Sequence, residues 1–164
     1  MKNRPFKLMS AMLLSLAFLL LQCNNAQEDG APSQEEEQIE DLLQSYYQVM
    51  SERDWPRYQG FFAEKATLTT IWQPEDASSP EIHTNTITEF LAQTGAGPDS
   101  QPIFEEKMTQ ADIQVKGNLA YAWVNYEAKF GTADQLMEWK GLDLFSFIRY
   151  REEWKIAALV FESE

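Results

Sequence analysis

Cysteine and histidine are nearly missing: the 164-residue chain holds one of each, Cys23 and His83. A single cysteine makes an intramolecular disulfide impossible. It also removes the usual zinc site, which takes three or four Cys or His ligands, so neither a metal nor another resident cofactor is expected. A Ser-His-Asp arrangement would have to run through His83. No Gly-x-Ser-x-Gly elbow and no glycine-rich phosphate loop supports acyl-transfer or nucleotide chemistry. Positive charge is scarce as well, with 13 Lys and Arg against 26 Asp and Glu and a net charge of −13. Such a chain repels a phosphate backbone, so nucleic acid is excluded from the expected partners, and the acidity serves solubility.

Three of the basic residues, Lys2, Arg4 and Lys7, precede an apolar run from Leu8 to Leu21. A basic start followed by a short apolar core has the form of an export signal, here over residues 1–22, and is too short for a spanning helix with normal flanks. The run ends in Leu20-Leu21-Gln22-Cys23, which resembles the lipobox of bacterial lipoproteins, with Gln22 where that motif usually has Gly, Ala or Ser. The resemblance implies lipidation at Cys23 and a protein anchored to a membrane of the bacterial cell envelope. Ordinary cleavage nearby would give a secreted or periplasmic soluble protein instead. Residues 23–37 carry almost nothing apolar, so they cannot bury enough surface to offset ordering and read as a flexible tether. Glu35, Glu36 and Glu37 suit the start of a helix electrostatically rather than a metal.

The folded part is expected over residues 38–164. Ile39, Leu42, Leu43, Tyr46, Tyr47 and Met50 recur at three- and four-residue intervals and predict an amphipathic helix. Asp54 is suited to cap a short second helix with Pro56 in its first turn and Trp55, Tyr58, Phe61 and Phe62 on its buried face. Residues 66–72 are rich in β-branched side chains and predict a strand with Leu68, Thr70 and Trp72 on one face. Residues 73–79 read as a loop, and Thr86 with Glu89 forms a capping box that opens a third short helix. Beyond Pro102 the pattern is long strands: 103–115, 119–130, and a final pair around Trp139–Ile148 and Trp154–Phe161. Alternation in the first of that pair puts Trp139, Asp143, Phe145 and Phe147 in one row, a carboxyl among rings. Helices first and an antiparallel meander last give an α+β domain.

These residues carry a resemblance. Tyr46, Asp54-Trp55, Phe61 to Leu68, Gly117 to Ala120, Asp143 to Phe147 and Trp154-Lys155-Ile156 are similar to the nuclear transport factor 2-like (NTF2-like) superfamily, nearest its SnoaL-like and DUF4440-type members. The resemblance covers most of residues 38–162. It implies a cone in which a curved antiparallel sheet wraps around about three helices, with a pocket between them, and a homodimer formed through the outer sheet face. By similarity to ketosteroid isomerase, Tyr46 and Asp143 fall on the positions of an oxyanion site, in which an apolar surround keeps a carboxylic acid neutral. Thr70 falls where that enzyme has its proton-shuttling aspartate, and a threonine cannot take up a proton at neutral pH.

The resemblance also turns the face of Leu119, Tyr121, Trp123, Asn125 and Glu127 toward the pocket, with Trp72, Trp139 and Phe145 adding to its wall. Aromatic walls with a few polar groups suit a small, largely apolar ligand. Binding or partner contact without catalysis is the leading expectation. The alternative is a cofactor-free isomerase, cyclase or hydrolase using Tyr46 and Asp143, with Glu127, His83 or a water as base. A filled, purely structural domain is the third. Trp154 and Phe161 are expected to be structural.

Overall fold

The computed structural model describes residues 31–72 and 78–163; the expected export signal, Cys23 and the side chain of Trp72 lie outside them. Helix α1 (Gln34–Glu52) opens the domain. Its N-cap is Ser33, whose hydroxyl accepts a hydrogen bond from the Glu36 amide while the Glu36 carboxylate reaches back to the Ser33 amide. This capping box starts the helix at Gln34, ahead of the apolar pattern that opens at Ile39 and inside the stretch expected to be tether. Helix α2 (Trp55–Gln59) is capped by Asp54, and α3 (Ile87–Gln93) by the capping box of Thr86 and Glu89. Two single 3₁₀ turns, Thr94–Ala96 and Pro98–Ser100, lead into the long strands.

The strands are β1 (Phe62–Trp72), β2 (Glu81–Thr86), β3 (Ile103–Lys116), β4 (Leu119–Thr132), β5 (Gln135–Tyr150) and β6 (Glu153–Ser163). They form one curved, unclosed sheet in the order β2-β1-β6-β5-β4-β3. Every neighbouring pair is antiparallel except β1 with β6, which brings the chain's first and last strands together in the middle of the sheet. Between the expected 73–79 loop and α3 lies a strand the sequence pattern does not announce, β2: its Glu81–Thr86 backbone pairs with β1 and carries His83 opposite Thr70.

Helix α1 lies against β3, and its buried side chains Ile39, Leu43, Tyr46, Tyr47, Val49 and Met50 enter the concave face. On that face β5 contributes Gly141, Asp143, Phe145 and Phe147, as its alternation implies. Strand β4 contributes Ala120, Ala122, Val124, Tyr126 and Ala128, the opposite set from the one expected. Small side chains at three of those positions leave room for the core rings, so volume, not hydrophobicity, sets the face. Tyr46 sits at the centre of these rings, edge-on to Tyr47 at 5.0 Å and to Phe145 at 5.2 Å.

Gly141 has a specific reason to be glycine. A Cβ built there would overlap the ring of Tyr126, its register partner on β4. The phenol end of the tyrosine therefore occupies the space that a side chain at 141 would need, and the bare backbone is what lets it approach β5.

Candidate functional site

A cavity of about 230 Å³ opens between the helices and the concave face. Tyr46 and Met50 from α1, Tyr58 from α2 and Phe90 from α3 form one wall. Phe104 and Glu106 of β3, Tyr126 of β4, Trp139 and Asp143 of β5, and Phe161 of β6 form the other. Register explains the grouping: Glu106, Ala128 and Trp139 make one row across β3, β4 and β5, and Val124, Asp143 and Phe161 make another across β4, β5 and β6.

Asp143 is 4% exposed. Tyr47, one residue beyond Tyr46, donates its phenol hydrogen to the Asp143 carboxyl in a short, buried bond. Successive residues of a helix point about 100° apart, so the adjacent tyrosines take different partners. Tyr46 instead accepts a hydrogen bond from the Tyr58 hydroxyl at 2.9 Å. Burial pushes the Asp143 carboxyl up to about 7, against the lowering effect of the Tyr47 bond. Burial first, and then the nearby Asp143 charge, pushes Glu106 up to about 8. Tyr46, Tyr47, Tyr58 and Tyr126 are all raised above the ordinary phenol range, chiefly by burial, and stay protonated. Around pH 7 the two carboxyls therefore hold at least one proton between them.

Glu106 is fixed from behind. β3 is an edge strand, and Ser51 of α1 covers that edge: its hydroxyl accepts from the Glu106 amide at 2.8 Å and donates to the Glu106 carbonyl at 3.0 Å. The carboxyl itself has no hydrogen-bond or ion-pair partner among the described residues and faces the cavity with part of its surface open. Arg53, the cation near this rim, is engaged elsewhere, donating to the carbonyl of Gln101 at 2.7 Å and paired with Asp99 at 3.8 Å.

Of the site residues expected from sequence, Tyr46, Trp139 and Asp143 line the cavity. Phe145 is fully buried behind Tyr46 and belongs to the core. Tyr121, Trp123, Asn125 and Glu127 are corrected: all four are exposed on the outer sheet face, because β4 runs in the opposite phase. Glu127 there pairs with Lys140 at 3.0 Å, which holds its carboxyl below the ordinary range and unsuited to act as a base in the cone. Thr70 lines a second apolar pocket, of about 330 Å³, with Ile71, Ile82, Trp123, Leu144 and Val160. Phe161, expected to be structural only, lines the cavity, and Glu106 was not foreseen. Among the described residues no group of three or more His, Cys, Asp or Glu side chains could hold a metal ion.

Comparison with known proteins agrees with this geometry. No curated protein matches the chain. An NTF2-like protein of unknown function from Pseudomonas putida KT2440 superposes with a TM-score of 0.64 at 15% identity, over 81% of this chain and 89% of that one. An NTF2-like protein with a cystatin-like fold from Novosphingobium aromaticivorans gives 0.61 at 13% identity, over 76% and 79%. A protein from Streptomyces avermitilis, described as a "putative dehydratase" of the NTF2-like family, gives 0.59 at 14% identity, over 76% and 92%. A family profile described as "Putative lumazine-binding" matches residues 34–162. With that span matched, the chain belongs to this lumazine-binding-like family, and its fold is the NTF2-like one.

Proposed function

We propose that the domain binds a small, largely apolar molecule in its cone and does not transform it. The observation that carries this reading is the aromatic cavity of about 230 Å³ with the buried Asp143 carboxyl, fixed by Tyr47, in its wall. Apolar walls supply the affinity and a few placed polar groups the orientation. The family's description supplies a first probe, lumazine. Titration of the purified domain with lumazine, followed by its own fluorescence, is expected to saturate at one site per chain. Trp139→Ala, which removes part of the wall, is expected to weaken it. No saturable binding of lumazine, together with no retained small molecule in native mass spectrometry of protein from its own envelope, would overturn the reading.

Glu106 favours a second reading. In the form of the pair that has its one proton on Asp143, the Glu106 carboxylate could take a proton from a carbon next to a carbonyl, with Tyr46 and Asp143 donating to the oxygen. Exchange of the α-hydrogens of cyclohexanone in deuterium oxide, lost in Glu106→Gln, would establish it; exchange no faster than in buffer would remove it.

Export and anchoring through Cys23 complete the proposal, resting on the leader's composition and the Leu20-Leu21-Gln22-Cys23 motif. The mass of the mature amino terminus tests it: diacylglycerol on Cys23 is expected, and an unmodified terminus beyond Cys23 would remove the anchor. Exposed apolar residues on the outer sheet face, Trp123 and Val160 among them, support a homodimer.

A further inference from the structure

We infer that the polar end of the ligand is an organic cation, an ammonium or amidinium group held between Asp143 and Glu106 inside a box of aromatic rings. The inference rests on the binding reading above and adds the ligand's charge. Three observations converge on it. First, among the described residues the cavity wall contains two carboxyls and no Lys, Arg or His. Second, neither carboxyl is answered by a cation: Asp143 is bonded by the neutral Tyr47, Glu106 has no partner among the described residues, and Arg53 is occupied with Gln101 and Asp99. Third, the remaining wall is rich in aromatic rings, with Tyr46, Tyr58, Phe104, Tyr126, Trp139 and Phe161 around the acids.

A buried carboxyl without a countercharge is costly, and the group avoids the cost by keeping its proton. A cation entering the cavity removes the reason to keep it. A positive charge in the cavity has aromatic rings on several sides, and desolvated cation–π contacts are stronger than exposed ones. An inorganic cation is a poor fit, since no group of three acidic or imidazole ligands is gathered here among the described residues. A neutral carbonyl compound would use the same carboxyls as hydrogen-bond donors, and that alternative is the outcome the test is built to detect.

Binding to the purified mature domain is measured calorimetrically with benzyltrimethylammonium and with its uncharged isostere neopentylbenzene, at pH 6.0 and pH 8.5. The cation is expected to bind at least about tenfold more tightly than the isostere at pH 8.5, to weaken toward pH 6.0 as the carboxyls reclaim protons, and to release protons on binding. Glu106→Gln, a near-isosteric change on a strand held by Ser51, removes one of the two carboxyls and is expected to cut that preference by at least about threefold and to lessen the proton release. Equal or tighter binding of the isostere in the unaltered domain would overturn the cationic assignment and leave the cavity a binding site. A preference for the cation that survives Glu106→Gln and Asp143→Asn would place the cation elsewhere on this acidic protein and also overturn it. If neither compound binds, both the cationic assignment and the binding reading fall.

Discussion

Tyr47, not Tyr46, closes on Asp143. The bond joins α1 to β5 across 96 residues of chain and is the one hydrogen bond the Asp143 carboxyl makes among the described residues. Its effect runs against burial, since a phenol donating to a carboxylate favours the charged form. Tyr47→Phe should therefore raise the Asp143 pKa above about 7 and cost on the order of 1–3 kcal/mol, because a buried acceptor loses its partner. Carboxyl titration followed by infrared spectroscopy, beside denaturant unfolding, measures both. A lower Asp143 pKa in Tyr47→Phe would contradict the proposed balance.

Stability should rise on mild acidification. Asp143 and Glu106 have pKa values of about 7 and about 8 in the folded domain, both above their unfolded values, so between roughly pH 4 and pH 8 the folded state holds more protons than the unfolded state. A folded state with more bound protons loses stability as pH rises, and the loss is complete once both carboxyls are ionised. The groups facing the pair are Tyr46 and Tyr47 of α1, Tyr58 of α2 and Tyr126 of β4, all protonated throughout this window. From pH 8 to pH 5 the domain should gain on the order of 2 kcal/mol, a figure reduced because Glu106 is partly open to solvent. Chemical denaturation at a series of pH values reads the slope, and Asp143→Asn should flatten it.

How much of this was legible depended on which signal each element carried. The α1 pattern, the Asp54 and Thr86 caps and the Trp139–Asp143–Phe145–Phe147 row could be read directly, because helix and strand periodicities leave one reading for a long amphipathic segment. β4 was misread because its larger apolar residues, Leu119, Tyr121 and Trp123, lie outside while Ala120, Ala122 and Ala128 lie inside. Glu106 was hidden by an irregularity in β3 between Met108 and Gln110: Ala111, Ile113 and Val115 face inward on one side of it, and Phe104, Glu106 and Met108 on the other. A bulge inverts the alternation, and nothing in the local sequence marks it. The Tyr46/Tyr47 choice could not be made from pattern either, since both adjacent residues are buried.

Ser51→Ala should act on the site through Glu106. The hydroxyl satisfies both backbone groups of Glu106 on the free edge of β3, so its loss leaves an amide and a carbonyl without their partner. A cost of about 1–3 kcal/mol in unfolding is expected. Ligand affinity should fall with it, whereas Ser51→Thr, which keeps the hydroxyl, should retain most of both. Unfolding curves and calorimetric ligand titrations check the pair.

Gly141→Ala should cost about 1–3 kcal/mol, because the added methyl overlaps the Tyr126 ring and one of them must move. Tyr126 lines the cavity, so the displaced ring should also alter binding. Replacing the ring removes the clash: Gly141→Ala in a Tyr126→Val background should cost less than in the unaltered protein. Such non-additivity in a double-mutant cycle is the expected signature of contact, and simple additivity would argue against the overlap.

The outer sheet face carries the last prediction. Register places Trp123, Leu144, Val160, Thr69 and Thr84 in one row across β4, β5, β6, β1 and β2. Trp123 is 44% exposed, Val160 48%, and Ile71 and Ile82 beside the row still more. A contiguous apolar surface of this kind on an acidic, otherwise polar exterior is what a second copy would cover, and self-association through one shared face needs only a two-fold axis. Light scattering coupled to size-exclusion chromatography should therefore give a dimer mass. Trp123→Lys should give a monomer, by setting a charge at the aromatic end of the row, without lowering the stability of the isolated domain, since Trp123 contributes nothing to the concave core. A monomer at concentrations well above those used for binding would mean that the row serves another purpose. A dimer unaffected by Trp123→Lys would place the interface on a different face.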